Sequence, residues 1–326
     1  MGLGVLAQQR ETMRAAANAA EEALKQWSKT ILEGIRPPSG PYAFFHHNAH
    51  ALERLKDVRR TLERLYEGRT TLRVLDEQER ALIPSDWPGG TPFPDNIQAV
   101  MKQSHEVNEH VKMDFEVLYM FGNILLDQWS LCVAYAAGLP KPADFTFLGL
   151  VQCLEDQGFS GPLTELWTRH APDMLWLNGQ IRFYRNRFVV HADRPWQRGN
   201  TRSTFGHEYA LFVPSPPGWL ADEEIERKIK ALLPLAPQWL QQARDDYWEK
   251  ANARALLARL LDHLGEIQSK SDREAVLRFV GQFGTTTPTF QVVGARVLKF
   301  IAEATGCMDL ITKSNLSSVN LGAPVA

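Results

Sequence analysis

Cysteine is scarce in this chain: Cys132, Cys153 and Cys307 lie far apart among 326 residues and form no C-x-x-C pair. Their spacing excludes a disulfide framework and a structural zinc cluster, and fits a reducing compartment. Excess charge is missing as well. With 36 Lys and Arg against 38 Asp and Glu the formal net charge is -2, so bulk charge does not hold this protein to nucleic acid, and any polyanion site must be local. Strand-like patterning is confined to STFGHEYALFV, where a short β element, hairpin or loop, is expected near 203–213. The chain has no G-x-x-x-x-G-K-[ST] phosphate loop, no G-x-G-x-x-G after a strand and no G-x-S-x-G elbow.

Long uninterrupted apolar runs are also lacking. The N-terminal stretch is too short for a signal peptide, and the most membrane-like segment, 117–139, carries Asn123, Asp127 and Gln128 in its middle. A central Asp costs roughly 2.5–3.5 kcal/mol in a bilayer, which predicts a buried helix and not a span. A cytoplasmic protein with no membrane partner is expected.

What the chain does have is helical periodicity almost throughout. A helix is expected over 7–32, ended by Pro37 and Pro38. Leu52, Leu55, Leu62 and Leu65 mark a charged helix with one apolar stripe, and PSDWPGGTPFP (84–94) breaks it and suggests a domain boundary. Val111, Phe115, Leu118, Leu125, Trp129 and Val133 form the longest stripe, with Gly122 in register for a close neighbour. Shorter helices are expected over 147–155 and from 163. Pro172 is expected to open a new segment whose stripe runs Leu177, Ile181, Tyr184, Phe188 and His191. Helices over 222–233 and 239–264 follow. Residues 272–305 read as two short helices, the second capped by Thr287 before Pro288, and 307–326 as a frayed, flexible tail. The fold class is therefore all-α: an N-terminal helical region (1–96), a helical bundle (97–264) and a small C-terminal helical segment (265–326).

Metal-ligand patterns fall short. In SHEVNEH (104–110) an H-E-x-x-H motif would need histidine at 109, where Glu109 stands, and the spacing of Glu106 and His110 does not suit a ferritin-like site. His46, His47 and His50 in HHNAH could clip a transition metal, since histidines three or four apart share a helix face, but no further ligand is evident and an exposed polar loop is the favoured reading. No metal and no cofactor is expected.

The stretch FYRNRFVVHADRPWQRGNTR (183–202) is different. From 182 to 202 there are six arginines, at 182, 185, 187, 194, 198 and 202, against one acid, Asp193. Arginine forks match phosphate bidentately, and Tyr184 and Trp196 offer faces on which a base can stack. The target this suggests is single-stranded RNA or a nucleotide. His191 adds a group that exchanges a proton near neutrality, and RNA supplies its own nucleophile in the 2'-hydroxyl. Arg182, Arg187, Arg194 and Arg198 are assigned to RNA binding on charge alone.

R-N-R-F-V-V-H (185–191), followed by Ala192 and Asp193, resembles the R-polar-x-H signature of HEPN domains, and particularly R-[ND]-K-x-x-x-H-x-D stretches of prokaryotic abortive-infection and toxin–antitoxin members. The resemblance implies a helical bundle with the motif toward the end of a late helix, and metal-independent ribonuclease activity in antiviral defence or toxicity. It also implies the roles: His191 as general base or acid, Arg185 as the cation on the phosphate, and Asn186 as the polar residue that orients it. Six residues turn a helix by about 600°, leaving Arg185 and His191 about 120° apart. A homodimer with facing motifs, or a helix that ends before His191, answers that separation, and the first is favoured because Pro195 lies four residues further on.

Two other readings stay open. In the first, the region is a non-catalytic helical module that binds a nucleotide, RNA or a partner protein; in the second, its basic edge merely contacts a polyanion within a scaffold. His191 then serves as a structural residue at a helix C-terminus. An antitoxin or other regulatory partner belongs to the toxin reading.

Overall fold

The structure, a computed structural model, describes residues 3–36, 42–83, 91–156, 163–182, 227, 231, 260–283 and 289–322. Seven α-helices are named here: α1 (Leu3–Ile35), α2 (Ala43–Leu82), α3 (Asp95–Ala136), α4 (Phe147–Asp156), α5 (Leu163–Leu177), α6 (Lys270–Phe283) and α7 (Phe290–Ser314). The protein is an all-α helical bundle, with no strand among the described residues.

Alternating three- and four-residue spacing builds it. In α1 the buried side chains are Met13, Ala17, Ala20, Leu24, Trp27 and Ile31; in α2, Ala51, Leu55, Val58, Leu62, Leu65 and Leu72. In α7, Phe290, Val297, Ile301, Ala304, Met308 and Ile311 repeat the pattern. Spacing near 3.5 keeps each seam facing its neighbours over many turns, as in coiled coils and four-helix bundles. The most extensive pairings are α2 with α3 and α1 with α7. One hydrophobic cluster runs from Met13 to Ile311 and takes side chains from all three spans, 1–96, 97–264 and 265–326. α3 is long and apolar enough to cross a membrane by length and composition, but 61% of that apolar window is buried inside the bundle.

Several expectations need correction. α1 extends beyond 7–32 at both ends. His46, His47 and His50 stand on α2 and not in a loop, because Phe44 is buried edge-on against Trp27 and its amide donates to the Leu321 carbonyl at 3.1 Å. The tail, expected to fray, is ordered against the bundle over 307–322. α7 continues to Ser314 with Cys307, Met308 and Ile311 buried, and the Asn320 amide donates to the Tyr135 carbonyl at 3.0 Å. Gly322 fits between Ala43 of α2 and Tyr135 of α3, where a Cβ would come within 2.7 Å of both. α7 is a single 25-residue helix whose cap is Thr289, its hydroxyl accepting from the Val292 amide at 3.4 Å. Thr287 lies outside the described residues.

Pro172 sits inside α5 and does not begin a segment. Proline has no N–H to return to the carbonyl four residues back and ordinarily kinks a helix. Here Leu166, Met174 and Leu177 bury on both sides of it, and the backbone at Gly265 lies so close to the Pro172 carbonyl that a Cβ there would overlap it. Packing overrides the local signal. At Gly122 a Cβ would meet Ile181 and Val297 at 3.5 and 3.9 Å, ordinary contact, so the close approach of α3 to its neighbours does not require glycine.

Candidate functional site

α5 does not stop at Leu177; Asn178–Arg182 continue it as one π-helical turn. Such turns widen the helix and recur at functional sites. This one is firmly held. Leu177 and Ile181 are fully buried, and Gln180, also fully buried, donates from Nε2 to the Leu261 carbonyl at 2.9 Å. The Arg296 guanidinium covers the Trp176 ring at 4.2 Å from its centroid. Three buried polar atoms here make no hydrogen bond: Trp176 Nε1, Asn178 Oδ1 and Gln180 Oε1.

The backbone of Arg182 ends this turn. Arg185, Asn186, Arg187, His191, Arg194 and Arg198 lie outside the described residues, as do 203–213 and the distal stripe residues Tyr184 and Phe188. The last described residue before the motif is Arg182, next to Ile181, which packs near Gly122 of α3. The expected helix over 222–233 falls outside apart from 227 and 231, and that over 239–264 apart from its last residues.

Other reactive side chains are accounted for by packing. Burial pushes the Cys132, Cys153 and Cys307 thiols up, which keeps them protonated and poor nucleophiles. His170, 8% exposed and edge-on to Phe300, is held below the ordinary histidine range by burial. His47 is lowered for the same reason, although its Nδ1 hydrogen bond to Gln128 Oε1 at 2.9 Å works the other way. A cleft of about 590 Å³ between α5 and α7 is lined by Arg169, whose charge Glu165 meets at 2.6 Å; no other cation lines it among the described residues. Among the described residues no group of three or more His, Cys, Asp or Glu is placed to hold a metal ion.

The π-turn is the feature that sequence reasoning missed. Its signal was faint: Asn178-Gly179 inside a helical stripe, where Gly179 admits the Leu264 side chain. No protein family, no curated protein and no solved structure matches the chain.

Proposed function

We propose that this chain is a metal-independent endoribonuclease of the HEPN type, acting in defence or as a toxin. The observation that carries the reading is Arg185-Asn186 followed by His191, set within six arginines and one acid in a chain of net charge -2. The all-α bundle and the anchored turn that leads into the motif support it.

His191 takes the proton from a ribose 2'-hydroxyl, and the oxygen attacks the adjacent phosphorus. The P–O5' bond breaks, the leaving oxygen is protonated, and the products are a 2',3'-cyclic phosphate and a 5'-hydroxyl. Arg185 stabilises charge on the phosphorane oxygens and Asn186 orients the phosphate. Two motifs facing each other in a homodimer compensate for the separation of Arg185 and His191 on one helix.

The test is incubation of purified protein with labelled total RNA and defined tRNA in EDTA, alongside Arg185→Ala and His191→Ala. Cleavage by wild type alone, leaving cyclic phosphate ends, supports the enzyme. Equal cleavage by all three, or none, transfers the function to RNA or partner binding without catalysis.

A further inference from the structure

His46 and His50 lie four residues apart near the start of α2. Residues at that spacing share a helix face, and here the two imidazole rings meet, their centroids 4.3 Å apart. Both side chains are exposed. A third histidine, His47, meets His46 edge-on at 5.5 Å between centroids, but its Nδ1 is bonded to Gln128 and its ring stacks on Tyr135 at 5.8 Å. Its packing role leaves His46 and His50 as the two exposed rings.

We infer that His46 and His50 form a bidentate clip for a divalent transition metal of the copper, nickel or zinc class. Imidazole nitrogens bind such ions at about 2.0–2.1 Å, so two nitrogens sharing one ion stand no more than about 4.2 Å apart, a separation adjoining rings reach by rotating in place. Two side-chain ligands leave the remaining positions to water or to a group from another molecule. Imidazole suits these ions and not hard cations such as magnesium, and among them copper binds tightest. The clip does not rest on the ribonuclease reading; the helix start that carries it packs against α1, the end of α3 and the C-terminal tail.

The experiment is calorimetric titration of the metal-stripped full chain, without an affinity tag, using copper, nickel, zinc and magnesium salts. One copper, nickel or zinc ion per chain is expected, with no magnesium heat. His46→Ala and His50→Ala each weaken binding by more than the roughly tenfold that loss of an outer-shell partner costs. His47→Gln, and His105→Ala combined with His110→Ala on exposed turns of α3, leave it unchanged. Metal also raises the melting temperature of wild type and of neither clip variant. Absence of binding, equal binding of magnesium, or clip variants that bind like wild type would overturn the proposal.

Discussion

Trp27 of α1 and Thr312 of α7, 285 positions apart, meet in the core, the indole Nε1 donating to the threonine Oγ1 at 2.9 Å. Seven residues earlier on the same face of α7, Thr305 accepts from Trp129 of α3 at 3.0 Å. Two threonines two turns apart thus tie α1 and α3 to one helix while satisfying two indoles that are fully buried. Thr305→Val and Thr312→Val keep the shape and remove the acceptor, leaving a buried N–H unpaired. Each is expected to cost about 1–3 kcal/mol. The sites are roughly 10 Å apart along the helix, so the double variant is expected to be close to additive. Urea unfolding with an unchanged m-value checks both statements.

Gly138 ends α3's trailing turn at φ +65°, with the Ser318 carbonyl against it. Gly138→Ala adds a left-handed penalty of about 1–2 kcal/mol and pushes on the tail. Faster proteolysis after Ser314 in this variant is expected; an unchanged digestion pattern would show that the tail holds without this contact.

Arg273 of α6 is 7% exposed along its side chain and pairs with Glu155 of α4, while its Nη1 also donates to the Ile267 carbonyl and, at 2.8 Å, to that of Gln268. Arg273→Met removes the partner of a largely buried carboxylate and of two carbonyls. A loss of about 3–5 kcal/mol is expected, the range for breaking a buried pair, and loosening of α6 seen as faster amide exchange there.

Burial disfavours the imidazolium of His170 and His47 and lowers both pKa values; at His170, Asp173 and Glu303 oppose the shift, and Arg169 and Lys299 add to it. Folded pKa values below the unfolded ones mean that the unfolded chain binds more protons. Their contribution is complete above the unfolded value, near 6.5, and is lost as pH falls below it. The unfolding midpoint is expected to drop between about pH 7 and pH 5, with a shallower slope in His170→Gln. A variant slope identical to wild type would remove His170 from the account.

For the proposed chemistry, His191→Ala is expected to lower cleavage by about 10²–10⁴-fold. Arg194→Ala with Arg198→Ala is expected to weaken RNA binding and reduce the salt slope by about 0.7 per lost phosphate contact on a single strand. Cleavage assays in EDTA and binding titrations at several salt concentrations read these separately.

How much could be read in advance follows the range of the interactions. The starts of α4 and α5 at residues 147 and 163 were legible because Gly, Pro and the first apolar positions act within a few residues. The candidate site is a reading of the sequence alone, since its signature and its arginine excess fit in about twenty residues. The π-turn that carries the chain into it was not legible, because it rests on Leu261 and Leu264, some eighty positions away.

The amino-acid sequence by itself determined the all-α class, since apolar spacing of three and four is a local property of the chain. Only tertiary structure decided that α5 runs through Pro172, that HHNAH is helical and that the C-terminal residues tuck against Phe44 and Tyr135. Each depends on a surface supplied by a distant segment, and burial against that surface outweighs a local preference of a few kcal/mol.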